Sequence, residues 1–328
     1  MKRREFITLL GGAAAGWPLA TRAQQASMPT IGFLNSGSAD GQARFVAAFR
    51  KGLNDTGFVE GQNAAVEYHW LEGRNERMPP LVTDLVRRRV AVIATPGFTA
   101  ATLAAKAATS TIPIVFSVTD DPVKMSLVAS LAQPGGNATG INYFSREVTA
   151  KRLRLLHDLV PKAVRVAVLV NPTNVGSTEA TLREAQEAAP TIGLQIQILN
   201  ATTIAEIDAV FAGFARERPD ALFIAGDGFF LDRRVQFATL TARERIPATG
   251  AQSDFVKVGV LMSYGTDYAD MFRQVGDYAG RILKGEKPAE LPVLQSTKFE
   301  FVLNLQTARA LNIEVPSGVL SIADEVIE

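Results

Sequence analysis

Short apolar runs recur along this chain, and between them lie segments whose apolar residues fall three or four positions apart. That alternation is the pattern of βαβ units, because a strand buried on both faces reads as a continuous apolar run while its crossover helix buries one stripe. "TIGFLNS", Thr30 to Ser36, is the first such strand. Phe45, Phe49 and Leu53 then share one face of a helix that stops at Asn54, Asp55 and Gly57. "AAVEYHW", "VAVIA" and "TIPIVFS" add three strands, with Leu81 and Leu85 marking a helix after the first of them. Four strands with helical crossovers make one doubly wound sheet.

The pattern then runs a second time. "VRVAVLVNP", "LQIQILN", "DALFIAGD" and "IPATGAQ" read as strands, and Ile204, Ile207, Phe211 and Phe214 face inward from one of the helices between them. A faint echo links the halves: "RRRVAVIATPG" precedes a helix and "TIPIVFSVTDD", as "RPDALFIAGDG" precedes a helix and "RIPATGAQSD". The expected fold class is α/β, with two doubly wound Rossmann-like lobes. The join "AQPGGNATGINYFS", Ala132 to Ser145, is dense in Gly, Asn and Pro and reads as a hinge or crossover rather than a core element. Beyond Gly259 come a strand "VLMSYG", a helix carrying Tyr268, Met271, Phe272, Val275 and Tyr278, then "KGEKPAELP" and a last strand "KFEFVLN". Elements left over after two complete lobes mean that the chain crosses back. The expected division is 29–141 plus 266–293 in one lobe and 142–265 plus 294–328 in the other.

The start of the chain reads as an export signal over residues 1–23. "MKRREF" is a basic leader, "ITLLGGAAAGWPLA" a modest apolar stretch, and "TRA" a small-x-small cleavage site before Gln24. Adjacent Arg3 and Arg4, followed by Glu5 and Phe6, have the form of a twin-arginine signal, which places the mature protein in the periplasm. Three glycines and a proline make a poor helix interior, so a first amphipathic helix is the lesser reading. The stretch is also shorter than the roughly 20 residues of a membrane span, so no membrane-spanning role is expected. The chain has no cysteine, which excludes disulfides, thiolate chemistry, Cys-ligated zinc and a lipidated N-terminal Cys. Removing residues 1–23 takes away Lys2, Arg3, Arg4 and Arg22 against Glu5, a net of +3, and moves the charge from +1 to −2. Such a surface argues against a nucleic-acid partner.

Enzyme constellations are scarce. His69 and His157 lie in a strand and a helical run, neither beside a nucleophile or a second ligand, and each reads as a packed or surface histidine. No nucleophile elbow, zinc-protease helix or phosphate-binding loop with its lysine occurs, and neither a cofactor nor a metal is expected. Polar residues gather instead where strands end: Asn35, Ser36, Thr95, Ser117, Thr119, Asp120, Asn171, Asp227 and Gln252. In open α/β sheets the ligand crevice lies beyond those ends, so these residues are expected to converge on a cleft between the lobes.

Within that set, "ATPGFTAATLAAKAA" places Thr95 as an N-cap, Pro96 at the first helical position and Gly97 where a ligand could approach the backbone. The N–H groups of Gly97, Phe98 and Thr99 would then hold a carboxylate or another anion, with an ordinary capped helix as the equal alternative. Asp227 either meets a ligand ammonium or caps the next helix. Tyr143, Phe144, Phe229 and Tyr264 flank the same crevice by position. Asp120 and Asp121 have no companion base or nucleophile, which turns them from catalysis toward the mouth of a binding cleft; which of the two faces it stays open.

Three stretches carry a family likeness: "IATPGFTAATLAAKAATSTIPIVFSVTDDPVKMSLVASLAQPGGNATGIN", "KRLRLLHDLVPKAVRVAVLVNP" and "RILKGEKPAELPVLQSTKFEFVLNLQTARALNIEVP". Together they resemble the substrate-binding proteins of ABC transporters of the tryptophan/tyrosine and uncharacterised types, over nearly all of the mature chain. The resemblance implies a type I periplasmic binding protein: two lobes, three crossover segments, closure on a small-molecule ligand and delivery to an ABC permease of the inner membrane. The family's T-D-P-V stretch falls on Thr119, Asp120 or Asp121, Pro122 and Val123. Asp121 matches its acid by position, and Asp120 is the departure. In the second lobe the family's polar positions fall on Gly226 and Asp227 and on Gln252, Ser253 and Asp254.

The expectation is a monomeric binding protein and not an enzyme. Its ligand would be an amino acid, aromatic among the candidates, with the carboxylate on the Gly97 to Thr99 amides, the cation near Asp227 and the side chain among Tyr143, Phe229 and Tyr264. A ligand-binding sensory partner of a receptor or kinase is the alternative, and an enzyme on the same fold a more distant one.

Overall fold

The computed structural model describes residues 28–143 and 146–328. The leader expected over residues 1–23 and the candidate Phe144 lie outside the described residues. Among the described residues ten strands, separated by helices except between β4 and β5, precede the return of the chain: β1 (Thr30–Asn35), β2 (Ala65–Trp70), β3 (Val92–Thr95), β4 (Ile114–Val118), β5 (Ala138–Asn142), β6 (Arg165–Val170), β7 (Gln195–Asn200), β8 (Ala221–Ile224), β9 (Ala248–Gly250) and β10 (Met262–Thr266). Three follow: β11 (Leu294–Gln295), β12 (Phe299–Asn304) and β13 (Glu325–Ile327).

The strands form two sheets, one per lobe. The first runs β11-β5-β4-β3-β1-β2 and the second β13-β12-β10-β9-β8-β6-β7. Both contain the order 2-1-3-4-5 in parallel pairing, and among the described residues only β12 runs antiparallel to its neighbour, β10. The two-lobed α/β class read from the alternation is therefore the observed one. Central strands such as "IVFSV" of β4 are buried throughout, whereas the edge strands β2 and β7 are half-buried. Continuous apolar runs in the sequence mark the former.

The chain passes between the sheets three times: after β5, between β10 and the helix Tyr268–Leu283, and between β11 and β12. That helix lies against the helix Ala43–Asp55 of the first lobe. Glycines let the two backbones approach. A Cβ at Gly276 would overlap the Phe49 carbonyl oxygen, and one at Gly52 the Arg273 carbonyl oxygen. Beneath them Phe33 is enclosed by Phe49 and Tyr68, each 5.2 Å away between ring centroids, and by Trp70 at 5.7 Å. Burying each such ring contributes roughly 1.5–3 kcal/mol.

The stretch Ala132 to Ser145 departs from its expected role. Residues 138–142 form β5, wholly buried between β4 and β11, and the crossover begins only at Tyr143. Its glycine and asparagines are what the core requires here. A Cβ at Gly140 would overlap the Phe116 carbonyl oxygen of β4. Asn142 Nδ2 donates to the carbonyls of Val118 at 3.0 Å and Asp120 at 2.8 Å, and Asn137 Nδ2 donates to Thr109 and Ile112. The donor side of both amides is thereby satisfied, while Asn142 Oδ1 has no partner among the described residues.

Candidate functional site

In a 2-1-3-4-5 sheet the crevice opens between the first and third strands, where successive connections leave on opposite faces. In the first lobe that point is flanked by Asn35 and Ser36 after β1 and by Pro96 and Gly97 after β3. In the second it is flanked by Asn171 after β6 and by Gly226 and Asp227 after β8. The two points face each other. Asn35, Ser36, Gly97, Asp227 and Gln252 line one small cavity of about 20 Å³, together with Gln42 and Tyr268. A second cavity of about 50 Å³ adjoins it through shared Gly226 and Tyr268, and is lined further by Thr119, Tyr143, Thr149, Arg152, Ser177 and Thr181.

Asp227 is buried and receives four hydrogen bonds. Oδ1 accepts from Asn171 Nδ2 (3.1 Å) and from the N–H groups of Phe229 (3.0 Å) and Phe230 (3.2 Å), and Oδ2 accepts from Asn174 Nδ2 (3.1 Å). It is thus the N-cap of the helix Gly228–Asp232. Burial nonetheless pushes its carboxyl above the ordinary aspartate range, against the pull of those four donors.

The segment after β3 differs from its expected form. The helix starts at Thr99, not at Pro96, and Phe98 takes the N-cap position. Pro96 and Gly97 form a turn with Gly97 at φ +67°, a conformation that suits glycine. Thr95 ends β3 with its hydroxyl 2.8 Å from that of Thr102, Phe98 is in the first lobe's core, and the Gly97 N–H donates to Ser117 Oγ at 2.6 Å. The Gly97 amide is therefore already engaged, and Ser117 with it. Thr99 lies at the seam, where a Cβ on Gly176 of the second lobe would stand 3.1 Å from its methyl group.

Asp120 and Asp121 divide. Asp121 Oδ1 accepts from Val123 N–H at 2.9 Å and caps the turn that Pro122 enters. Asp120 reaches across to Arg183 of the second lobe, whose Nη2 lies 2.9 Å from Oδ1. Both line a wide open groove of about 950 Å³ along the crossover side. Two further bridges close the seam: Arg44 Nη1 to Asp254 Oδ2 at 3.2 Å, and Asn75 Nδ2 to the Thr173 carbonyl at 3.2 Å.

Among the aromatic candidates, Tyr143 reaches the seam with its ring centroid 5.6 Å from that of Tyr268, edge to face. Burial raises both phenols above the ordinary tyrosine range. Phe229 is buried against Phe230 and beside Gly73 of the first lobe. Tyr264 stands elsewhere, stacked on Phe299 at 6.1 Å and packed on the second lobe's core.

Sequence reasoning missed Tyr268 and Arg152 as site residues. Tyr268 was readable only as one of the inward aromatics of its helix. Arg152 sits among Lys151 and Arg154 in a stretch that reads as a solvated helix face, yet it is 3% exposed and lies over the Phe223 ring at 3.6 Å from the centroid. Its spacing from Thr149 and Leu156, both buried, is the signal that it shares their face.

Comparison with known proteins gives this geometry its place. The chain is 25% identical over 270 residues to the tyrosine-binding protein of Clostridioides difficile (strain R20291), covering 81% of this chain and 76% of that one. It superposes at a TM-score of 0.82 on the ABC domain in complex with L-Trp from Streptococcus pneumonia, with 23% identity over 92% of this chain and 100% of that one. A conserved domain protein from Vibrio cholerae also superposes at 0.82, with 24% identity over 91% and 99% of the two chains. The ABC transporter substrate binding protein profile matches residues 31–327, and the chain belongs to that family.

Proposed function

We propose that this chain is the extracytoplasmic binding component of an ABC importer and that it holds an aromatic amino acid between its lobes. The observation that carries the reading is the meeting of two strand-end crevices across one seam, with Tyr143 and Tyr268 between them. The tyrosine-binding relative and the L-Trp complex support the aromatic ligand. An ammonium is matched by acceptors on the Asp227 side, where Gln252 Oε1 and Asn174 Oδ1 have no partner among the described residues. An aromatic side chain is matched by the tyrosine pair and Phe229.

The closed seam holds cavities of about 20 and 50 Å³, far below the roughly 300 Å³ or more of a small-molecule pocket. The lobes therefore part about the three crossovers to admit a ligand, and a ligand gripped by both favours the closed form. That form is what a permease would read, and no bond is made or broken. Residues 1–23 act as the export signal in this scheme. Changing Arg3 and Arg4 to Lys should retain precursor in the cytoplasm, and normal export would remove the twin-arginine assignment.

Thermal melting of the mature chain against the amino acids tests the binding claim. A ligand specific for the folded state at 100 times its Kd adds about 2.7 kcal/mol. L-tyrosine or L-tryptophan should raise the melting temperature, and a flat response across all amino acids would refute the proposal.

A further inference from the structure

The seam cavity of about 50 Å³ contains two buried hydrogen-bond donors with nothing to bind, one from each lobe. Arg152, on the helix Arg146–Leu159, is 3% exposed, and its Nη2 donates to the Ile224 carbonyl at 3.2 Å while its Nε has no partner. The Glu184 carboxylate, itself 3% exposed, acts on the guanidinium through space. Thr119, after β4, is 9% exposed, and its Oγ1 likewise has no partner. We infer that Arg152 and Thr119 are the receptor for an anionic group of the ligand, namely its carboxylate. This deepens the amino-acid reading above and rests on it for the identity of the ligand.

Several observations converge. A guanidinium N–H can only donate, so the group it awaits must accept. Burying an arginine is costly, and desolvation here brings its pKa down to about 9 against the upward pull of Tyr268 and the Glu184 carboxylate, so at neutral pH it still carries its proton. An arriving anion would offset that cost, whereas a cation would add to it. One N–H and one hydroxyl match the two oxygens of a carboxylate. The neighbouring hydroxyl of Ser177 is committed to the Gly226 carbonyl at 3.1 Å, and the Gly97 amide is committed to Ser117, which leaves the Arg152 side as the donor-rich end of the seam. Because the donors belong to different lobes, a carboxylate between them also ties binding to closure.

Calorimetric titration of the mature chain tests this with three probe pairs: L-tyrosine and L-tryptophan, their α-carboxamides, and the propanoates that keep ring and carboxylate but lack the amine. The wild type should prefer acid over amide by about 100-fold, the order expected for a buried charge-assisted contact. In Arg152→Met that preference should collapse to about threefold or less. Thr119→Val, which leaves the buried arginine in place, should reduce it about tenfold and keeps the test decisive if the arginine variant fails to fold. Amides bound as well as acids, or an acid preference intact in both variants, would overturn the inference and leave the amino-acid reading standing. Propanoates bound through Arg152 while amino acids are rejected would uphold the inference and remove the amino-acid reading. If none of the six compounds binds, both fall.

Discussion

Gly228 is where closure can be weakened without touching either lobe's interior. It opens the helix after Asp227, and a Cβ built on it would stand 2.5 Å from Ser36 Oγ and 3.0 Å from the Gly37 nitrogen, both across the seam. The serine hydroxyl can rotate away, but the Gly37 backbone cannot, so Gly228→Ala requires the lobes to sit a few tenths of an ångström further apart. Overpacking of this kind costs roughly 1–3 kcal/mol, and the mild overlap here places it toward 1–2. Only the closed form bears that cost, so ligand affinity should fall roughly 5- to 30-fold. The ligand-free melting temperature should stay within about 1 °C, since alanine is at least as good as glycine in a helix. Because the chain has no cysteine, one introduced at Lys51 and one at Arg216, both exposed, would carry a fluorophore pair that reports lobe separation directly. Unchanged affinity for L-tyrosine or L-tryptophan would refute the reasoning. So would a ligand-free melting point lowered by several degrees, because the closed seam would then be part of the resting fold rather than a ligand-favoured state.

Three further outcomes are expected. Gly276→Ala should destabilise the protein by about 2–3 kcal/mol in urea melts, since its Cβ meets the Phe49 carbonyl, whereas Gly213→Ala, with open space around it, should be neutral or better. Asp120→Asn breaks a partly exposed bridge between lobes, so ligand affinity should fall no more than about fivefold, and the difference should vanish in high salt. Burial holds His69 below its ordinary range, so the folded chain binds fewer protons there than the unfolded one. Its contribution is therefore complete above about pH 6.5 and is lost as pH falls through the window below, and the melting temperature of His69→Gln should change less between pH 7 and pH 5 than that of the wild type.

The fold was legible because buried parallel strands announce themselves as apolar runs, and "IVFSV" and "RVAVLV" needed no context. β5 hid because what qualifies it for the core is not hydrophobicity: Gly140 permits contact with β4, and Asn137 and Asn142 bond backbone that would otherwise be bare. The strand-end rule drew Asn35, Ser36, Asp227 and Gln252 to one place, since it depends on topology alone. It could not say which side chains are already spent. Ser117 is taken by Gly97, Thr95 by Thr102 and Phe98 by the core, all of them choices made inside one lobe. Arg152 was hidden for the opposite reason, as a charge in a charged stretch whose burial follows from the helix face it shares with Thr149 and Leu156.

The glycine-tight pairing of the helices Ala43–Asp55 and Tyr268–Leu283 also dictates an order of events on the ribosome. The first five strands are synthesised long before the helix that covers Phe33 and Phe49, with 125 residues, 143–267, in between. At 5–20 residues per second, that interval lasts roughly 6 to 25 seconds. For its duration the earliest-made lobe displays an uncovered aromatic face, and the intervening stretch is the whole of a second α/β sheet's parallel core. A nascent chain halted at Asn142 should therefore engage holding chaperones, and release should follow only once the chain has passed Leu283.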